Sequence, residues 1–197
     1  VKSIALALTA RDTIDSGIAK QYPSRIETMS DEHAATDPAH FRRVLGHLPT
    51  GVVVVSGVSA EGVPVGITIG SFVSVSLNPP LVGFFPGTSS RSWPMIAQSG
   101  KFCASVLGID QEELCWRFAK EPASGTDSKF DGIEYTLSPG GMPILGGSVA
   151  WIDCSIESVT PAGDHVFVLG RVAALEAASD PSDAMTFFTG KVGGVTR

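Results

Sequence analysis

Residues 66–92, GITIGSFVSVSLNPPLVGFFPGTSSRS, decide how the chain is read. Apolar and hydroxyl side chains alternate from Ile67 to Leu77, with Ile67, Ile69, Val73, Val75 and Leu77 on one face and Thr68, Ser74 and Ser76 on the other. That period predicts a half-buried strand. The alternation breaks at Ser71-Phe72, as it does where a bulge or bend re-aims a chain. Neither proline of Asn78-Pro79-Pro80 can donate to a ladder, so the strand stops there and Leu81–Phe85 resumes as a second one. Pro94 fits a helix only in its first turn, which puts a helix start at Ser90 to Ser92. Backbone N–H groups, serine hydroxyls and the Arg91 guanidinium converge at that start, the donor set a phosphate monoester requires. The same serines, Ser89, Ser90 and Ser92, also suit helix capping, and both readings stand.

Around this stretch the chain has the size and make-up of one globular domain. Its 197 residues can bury a core and a ligand pocket, and it is 43% hydrophobic and 17% charged. A net charge of -6 without a basic cluster argues against nucleic acid or an anionic membrane as partner. Cys103, Cys115 and Cys154 are widely spaced among apolar residues, which predicts buried free thiols in a reducing, cytoplasmic compartment and no metal site. The apolar run at Val52–Val55 is far too short to span a bilayer. Residues 1–36 differ in character and are expected to form a flexible N-terminal arm with one short helix, leaving a domain over 37–197.

Along that domain, Asp37-Pro38 reads as a helix cap with proline in the first turn, and Phe41, Val44, Leu45 and Leu48 follow at helical spacing. Strands are expected at Val52–Gly57 and Phe102–Leu107, with Gly100 stopping the helix between Trp93 and Gln98. Asp110 with Glu113 three residues on predicts a helix over Gln111–Ala119. Lys120–Ser128 reads as a polar loop, and 129–143 as an excursion over the body with one short apolar pattern, Ile133–Leu137. Two long strands, Val149–Thr160 and His165–Leu175, flank the turn Pro161–Asp164. Asp180-Pro181 repeats the cap-plus-proline helix signal, and Phe187–Lys191 reads as a last extended segment. Six or so strands outnumber the helices, and strands and helices do not alternate regularly. A mainly β chain with short helices, folded as an antiparallel barrel, is therefore expected over a doubly wound sheet.

Dinucleotide G-x-G-x-x-G, P-loop, G-x-S-x-G and H-E-x-x-H motifs are absent, which disfavours Rossmann, P-loop and α/β-hydrolase readings. His33, His40 and His47 gather near the first helix and read as surface residues. His165 follows Gly163-Asp164 at a strand start, where it either caps a turn or serves a site.

The succession FRRVLGHLPTGVVVV, VPVGITIGSFVSVSLNPPLVGF, SSRSW, KFCASVL, KFDGI, GDHVFVLGRV and FFTGK, spread over 37–195, resembles the flavin reductase family with its FMN-binding split β-barrel. It is most similar to the reductase components of two-component flavin monooxygenases. The resemblance implies a Greek-key split antiparallel barrel, a homodimer with the flavin near the subunit interface, and a diffusive link to a partner oxygenase. It implies that Thr68, Ile69, Gly70, Ser71 and Phe72 run along the flavin ring and ribityl chain, with Ser74 and Val75 beside them. Ser89, Ser90 and Arg91 would hold the phosphate, and Lys129 and Phe130 would cover the ring. Gly163, Asp164 and His165, together with Thr189, Gly190 and Lys191, would border the nicotinamide pocket, with His165 as the catalytic contact. The sequence departs from commoner members at Val192, where tyrosine is frequent.

The activity so implied is NAD(P)H:flavin oxidoreduction, with FMN or FAD reduced by NADH or NADPH. It needs alignment of two rings more than acid–base machinery, in keeping with the few ionisable residues of the central stretch. The alternatives are a flavoprotein that retains its flavin as an electron carrier or direct reductase, and a non-catalytic flavin-binding barrel.

Overall fold

Four consecutive valines, Val52 to Val55, are 2, 5, 0 and 0% exposed, so this stretch has a core on each side. Val53 and Val55 join Ile69, Phe84, Trp93, Ile96, Phe102 and Val168 in one cluster. Val52 and Val54 face a second, with Leu107, Phe118, Phe130, Leu145 and Met185. A strand buried on both faces loses the alternating pattern, which is why the run reads as continuously apolar. The computed structural model describes residues 37–120 and 129–195, and the chain divides into two units, Val1–Phe41 and Arg42–Arg197. The expected arm at 1–36 and the loop at 121–128 lie outside the described residues.

The main sheet has seven antiparallel strands: β2 (Val53–Val58), β3 (Pro64–Ile69), β4 (Val73–Leu77), β5 (Pro80–Phe84), β6 (Lys101–Val106), β9 (Ala150–Ala162) and β10 (His165–Ala177). Their spatial order is β3-β2-β6-β9-β10-β5-β4. Consecutive strands β3 and β4 thus form opposite edges. A flat sheet of this size would hold its edges about 29 Å apart, whereas the four residue steps from Ile69 to Val73 reach about 14 Å. The sheet must therefore curl into an open barrel, as expected. The single bent strand read across Ile67–Leu77 is corrected: Gly70–Phe72 carries the chain from one edge of the barrel to the other. Its supposed buried face is also corrected, since Val73, Val75 and Leu77 are exposed in the single chain.

Among the described residues, three short helices accompany the strands: α1 (Pro38–Leu45), α2 (Ser92–Gln98) and α3 (Glu112–Ala119). Asp37 caps the first through Ala39 N–H at 2.9 Å. Helix α2 closes at Gly100, whose φ of +68° and N–H bond to the Ala97 carbonyl end the turn. It lies against β2 at Gly57, where a Cβ would stand 3.0 Å from Ile96 Cγ2. Ahead of α3, residues Ile109–Gln111 form a 3-10 turn, and Gln111 Oε1 accepts the Gly108 N–H. Asp110 instead accepts the Ser182 hydroxyl, so the expected Asp110–Glu113 cap is replaced.

The helix read at Asp180-Pro181 does not form. Ile109 N–H binds the Asp183 carbonyl, Gly108 bridges to Ala184, and the chain enters β11 (Ala184–Phe188) at once. With β1 (Thr50–Gly51) and β12 (Lys191–Val195), β11 makes a separate three-stranded sheet, so Phe187–Lys191 spans a hairpin and not one extended segment.

Residues 135–145 form a further hairpin, β7 (Tyr135–Leu137) and β8 (Pro143–Leu145), fixed to the outer barrel face by buried polar side chains. Ser56 Oγ donates to the Pro143 carbonyl, Ser105 Oγ accepts Leu145 N–H at 3.1 Å, and Asp153 Oδ2 accepts Gly140 N–H at 2.6 Å. Among the described residues Asp153 Oδ1 has no partner. The thiols are free and buried. Burial first, and then the Asp153 charge, push Cys103 up to about 12, and burial, then Cys103 and Asp153, do the same to Cys154.

Candidate active site

Strands β3 and β4 each pair on one side only, so the backbone on either side of Gly70–Phe72 borders the split in the barrel. Most side chains here are committed to the protein. Thr68 Oγ1 donates to the Cys115 carbonyl at 2.7 Å, and Ile69 is in the core. Ser71 Oγ accepts Phe85 N–H at 3.0 Å, and Phe72 stacks on Phe84 with centroids 6.1 Å apart. Gly70 leaves room for Thr50, whose Oγ1 would be 3.1 Å from an added Cβ. What this stretch offers a ligand is therefore mainly backbone. Ser74 and Val75 are exposed at a register shift in β4.

The segment after β5 docks on the turn before β10. Val166 N–H binds the Pro86 carbonyl at 3.0 Å, and both N–H and Oγ1 of Thr88 donate to the Asp164 carbonyl at 2.9 Å. Gly87 bridges to His165. Two motifs more than 70 residues apart, Thr88–Arg91 and Gly163–His165, are thus brought side by side. A Cβ built at Gly87 would lie 3.8 Å from Ser89 Oγ and 3.9 Å from His165 Nε2, so these two polar groups both stand beside the Gly87 backbone. Ser90 Oγ, one residue before the N-cap Arg91, accepts Trp93 N–H at 3.2 Å in the first turn of α2. With that N–H taken and Pro94 having none, the helix start has fewer open donors than a bare first turn. Ser89 and Arg91 are exposed beside it.

His165 Nδ1 lies 2.7 Å from Asp164 Oδ1, both side chains being open to solvent. The bond from His165, followed by its charge and a smaller effect of the Arg42 charge, holds the Asp164 carboxyl below the usual carboxylate range. Asp164 accepts at Nδ1, so that nitrogen carries a proton and Nε2 is left for a ligand.

Lys129 and Phe130 turn toward the protein. Lys129 Nζ donates to the carbonyls of Gly66 and Phe118 and to Ser92 Oγ. Phe130 is buried edge-on against Phe118 and Tyr135. Thr189 and Gly190 form the two-residue turn between β11 and β12, with φ of +46° and +82°, followed by exposed Lys191. That tip is fastened to the end of α1: Thr189 N–H binds the Gly46 carbonyl at 2.9 Å, and the His47 ring meets Phe188 edge-on. The sequence places His47 on the surface and gives Arg42 and Gly46 no role, because a surface-helix pattern carries no sign of these contacts.

Residues 45–196 match the family described as flavin reductase like domain. A flavin reductase of Pseudomonas putida is 50% identical over 161 residues, covering 82% of this chain and 92% of that protein. The reductase subunit HsaB of a flavin-dependent monooxygenase from Rhodococcus jostii (strain RHA1) is 45% identical over 161 residues, covering 82% and 80%. Among solved structures, the NADH:FAD oxidoreductase SgcE6 of Streptomyces globisporus superposes with a TM-score of 0.76 at 32% identity, covering 82% of this chain and 95% of that one.

Proposed function

The chain belongs to the flavin reductase family, and from that membership we propose that it reduces FMN or FAD with NADH or NADPH and releases the reduced flavin to a partner flavin monooxygenase. The observation that carries the reading is the docking of Pro86–Thr88 on Asp164–Val166, which sets a phosphate-type donor cluster beside an imidazole. The residues present fit a flavin nucleotide. The two polar groups beside Gly87 suit a phosphate or sugar oxygen, and the open backbone at the edges of β3 and β4 suits a ring with alternating donors and acceptors.

In this reading Ser89, Ser90 and Arg91 bind the phosphate, Ser90 donating its hydroxyl proton while its oxygen accepts Trp93 N–H. Thr68–Phe72, Ser74 and Val75 line the ring through backbone, and Lys129 and Phe130 support that wall from behind. When bound, the flavin supplies the position that accepts hydride. Gly163, Asp164, Thr189, Gly190 and Lys191 border the nicotinamide, and His165, its Nδ1 held by Asp164, presents Nε2 to the reacting rings. These residues align two rings and exclude water, with no general base demanded.

The working form is a homodimer. Its support is the outer face of edge strand β4, where Val73, Val75 and Leu77 are 47, 47 and 80% exposed and Phe85 adjoins them at 40%. A cytoplasmic location accords with three free thiols. Among the described residues no helix is long and apolar enough to cross a membrane. Steady-state NADH oxidation with and without added flavin tests the function. The rate should depend saturably on added FMN or FAD, and an undiminished rate without it would refute a diffusible flavin.

A further inference from the structure

The pairing of β5 with β10 continues past the end of β5. Phe84 pairs with Val168 and, on the same count, Gly87 bridges to His165, which sets Phe85 opposite Phe167. Their rings meet with centroids 4.9 Å apart and planes tilted by 34°. On the other flank, Val73 of β4 pairs with Gly83, and the same count puts Ser71 opposite Phe85, whose N–H the Ser71 hydroxyl accepts at 3.0 Å. Residues two apart on a strand share a face, so His165 and Phe167 point to one side of the sheet. That side lies away from the core residues Val168 and Phe84. Phe85 shares it as the partner of Phe167, and Gly87 leaves the place opposite His165 without a side chain.

The ordinary role of such a ring is to cover a glycine. A Cβ on Gly83 would stand 2.6 Å from Phe167 Cε2 and 2.9 Å from its Cζ, so the Phe167 ring leans across β5 over that glycine. This accounts for Phe167 but not for Phe85, whose ring is 40% exposed although its backbone is tied to Ser71 and its side chain is set against Phe167. Phe85 also stands between two parts of the proposed site. Ser71, from the stretch that lines the flavin ring, is on one flank, and the chain runs on from Phe85 through Gly87 to Ser89 and Arg91. A ligand with a flat ring at one end and a phosphate at the other, laid along this path, crosses Phe85. Two tilted rings side by side match a fused aromatic system better than a single pyridine ring, because stacking gains with the area of π face covered. The geometry points to Phe85, backed by Phe167, as the platform on which the isoalloxazine ring of FMN or FAD stacks. The platform rests on the reductase reading above.

The test is equilibrium dialysis of flavin-free wild type, Phe85→Leu and Phe85→Tyr against riboflavin and against FMN, with sedimentation of each protein alongside. Leucine keeps an apolar side chain and removes the π face, whereas tyrosine restores it, and an exposed ring is exchanged without loss of the fold. Phe85→Leu should weaken riboflavin and FMN alike, by about three- to tenfold, because stacking acts on the ring that both share. Phe85→Tyr should bind both within about twofold of wild type, and the three proteins should sediment alike. The platform is overturned if Phe85→Leu leaves riboflavin binding unmoved, if only FMN binding falls, or if tyrosine fails to restore what leucine loses. It is overturned equally if Phe85→Leu sediments as a smaller species than wild type, which would make the ring a contact between subunits. A wild type that binds neither flavin would instead sink the reductase reading, and the platform with it.

Discussion

Lys129 joins three pieces of the site: its ammonium donates to Gly66 O of β3 at 3.3 Å, to Phe118 O of α3 at 3.1 Å and to Ser92 Oγ at the start of α2 at 3.2 Å. Methionine has nearly the same length and no donor, so Lys129→Met abandons all three acceptors without opening a large cavity. Each costs about 1 kcal/mol, the low end of the range, because the half-buried site admits some water. The sum is roughly 3 kcal/mol, which in a protein of this size lowers Tm by roughly 6–12 °C. Thermal unfolding of wild type, Lys129→Met and Lys129→Arg measures this, and fluorescence titration gives flavin affinity in parallel. The expected result is a large fall in Tm, with flavin affinity changing less than tenfold wherever the variant is folded. A Tm within about 2 °C of wild type together with flavin binding weakened more than tenfold would refute the argument and make Lys129 a ligand contact.

Arg91→Ala should weaken FMN or FAD binding about ten- to a hundredfold while leaving riboflavin, which lacks the phosphate, unaffected; equal losses would assign Arg91 to the fold. Gly170→Ala places a Cβ 2.5 Å from the fully buried Phe102 ring, so it should cost about 1–3 kcal/mol in denaturant unfolding, and a neutral result would mean that the core gives way freely. Cys103 and Cys154 are raised from an ordinary 9.0 to about 12. A raised folded value contributes stability that is complete below pH 9 and declines as pH rises toward 12. Native protein should therefore resist thiol reagents at pH 8, and replacing both cysteines by alanine should flatten the alkaline loss of stability; an unaltered slope would contradict the assignment.

The elements legible in the sequence were those whose signals are local. Asp37-Pro38 opened α1, Gly100 closed α2, and the long strands β9 and β10 lie within two residues or so of their expected bounds. What escaped depends on contacts remote in sequence. Ile69 and Val73 continue one alternation, so nothing local reveals that they stand on opposite edges of a curled sheet. Ser56, Ser105 and Asp153 look like a solvent-facing row, because a polar residue in a strand is ordinarily exposed; here β7–β8 covers them and they supply its hydrogen bonds. Asp180-Pro181 carries a sound helix signal, overridden because Ser182 and Asp183 are bound to the turn at 109–111. In the site, the donor types at Ser89–Arg91 were plain from residue chemistry. The convergence of Thr88 with Asp164, and of Gly46 with Thr189, was not, since no spacing rule links residues so far apart.

The central claim is that reduced flavin leaves this protein for another. Its most direct measurement is anaerobic turnover with NADH and a tenfold excess of FMN or FAD over protein, followed by rapid ultrafiltration. The account predicts reduced flavin in the filtrate in several-fold excess over protein chains. Reduced flavin retained at one per chain, with the excess still oxidised, would contradict it.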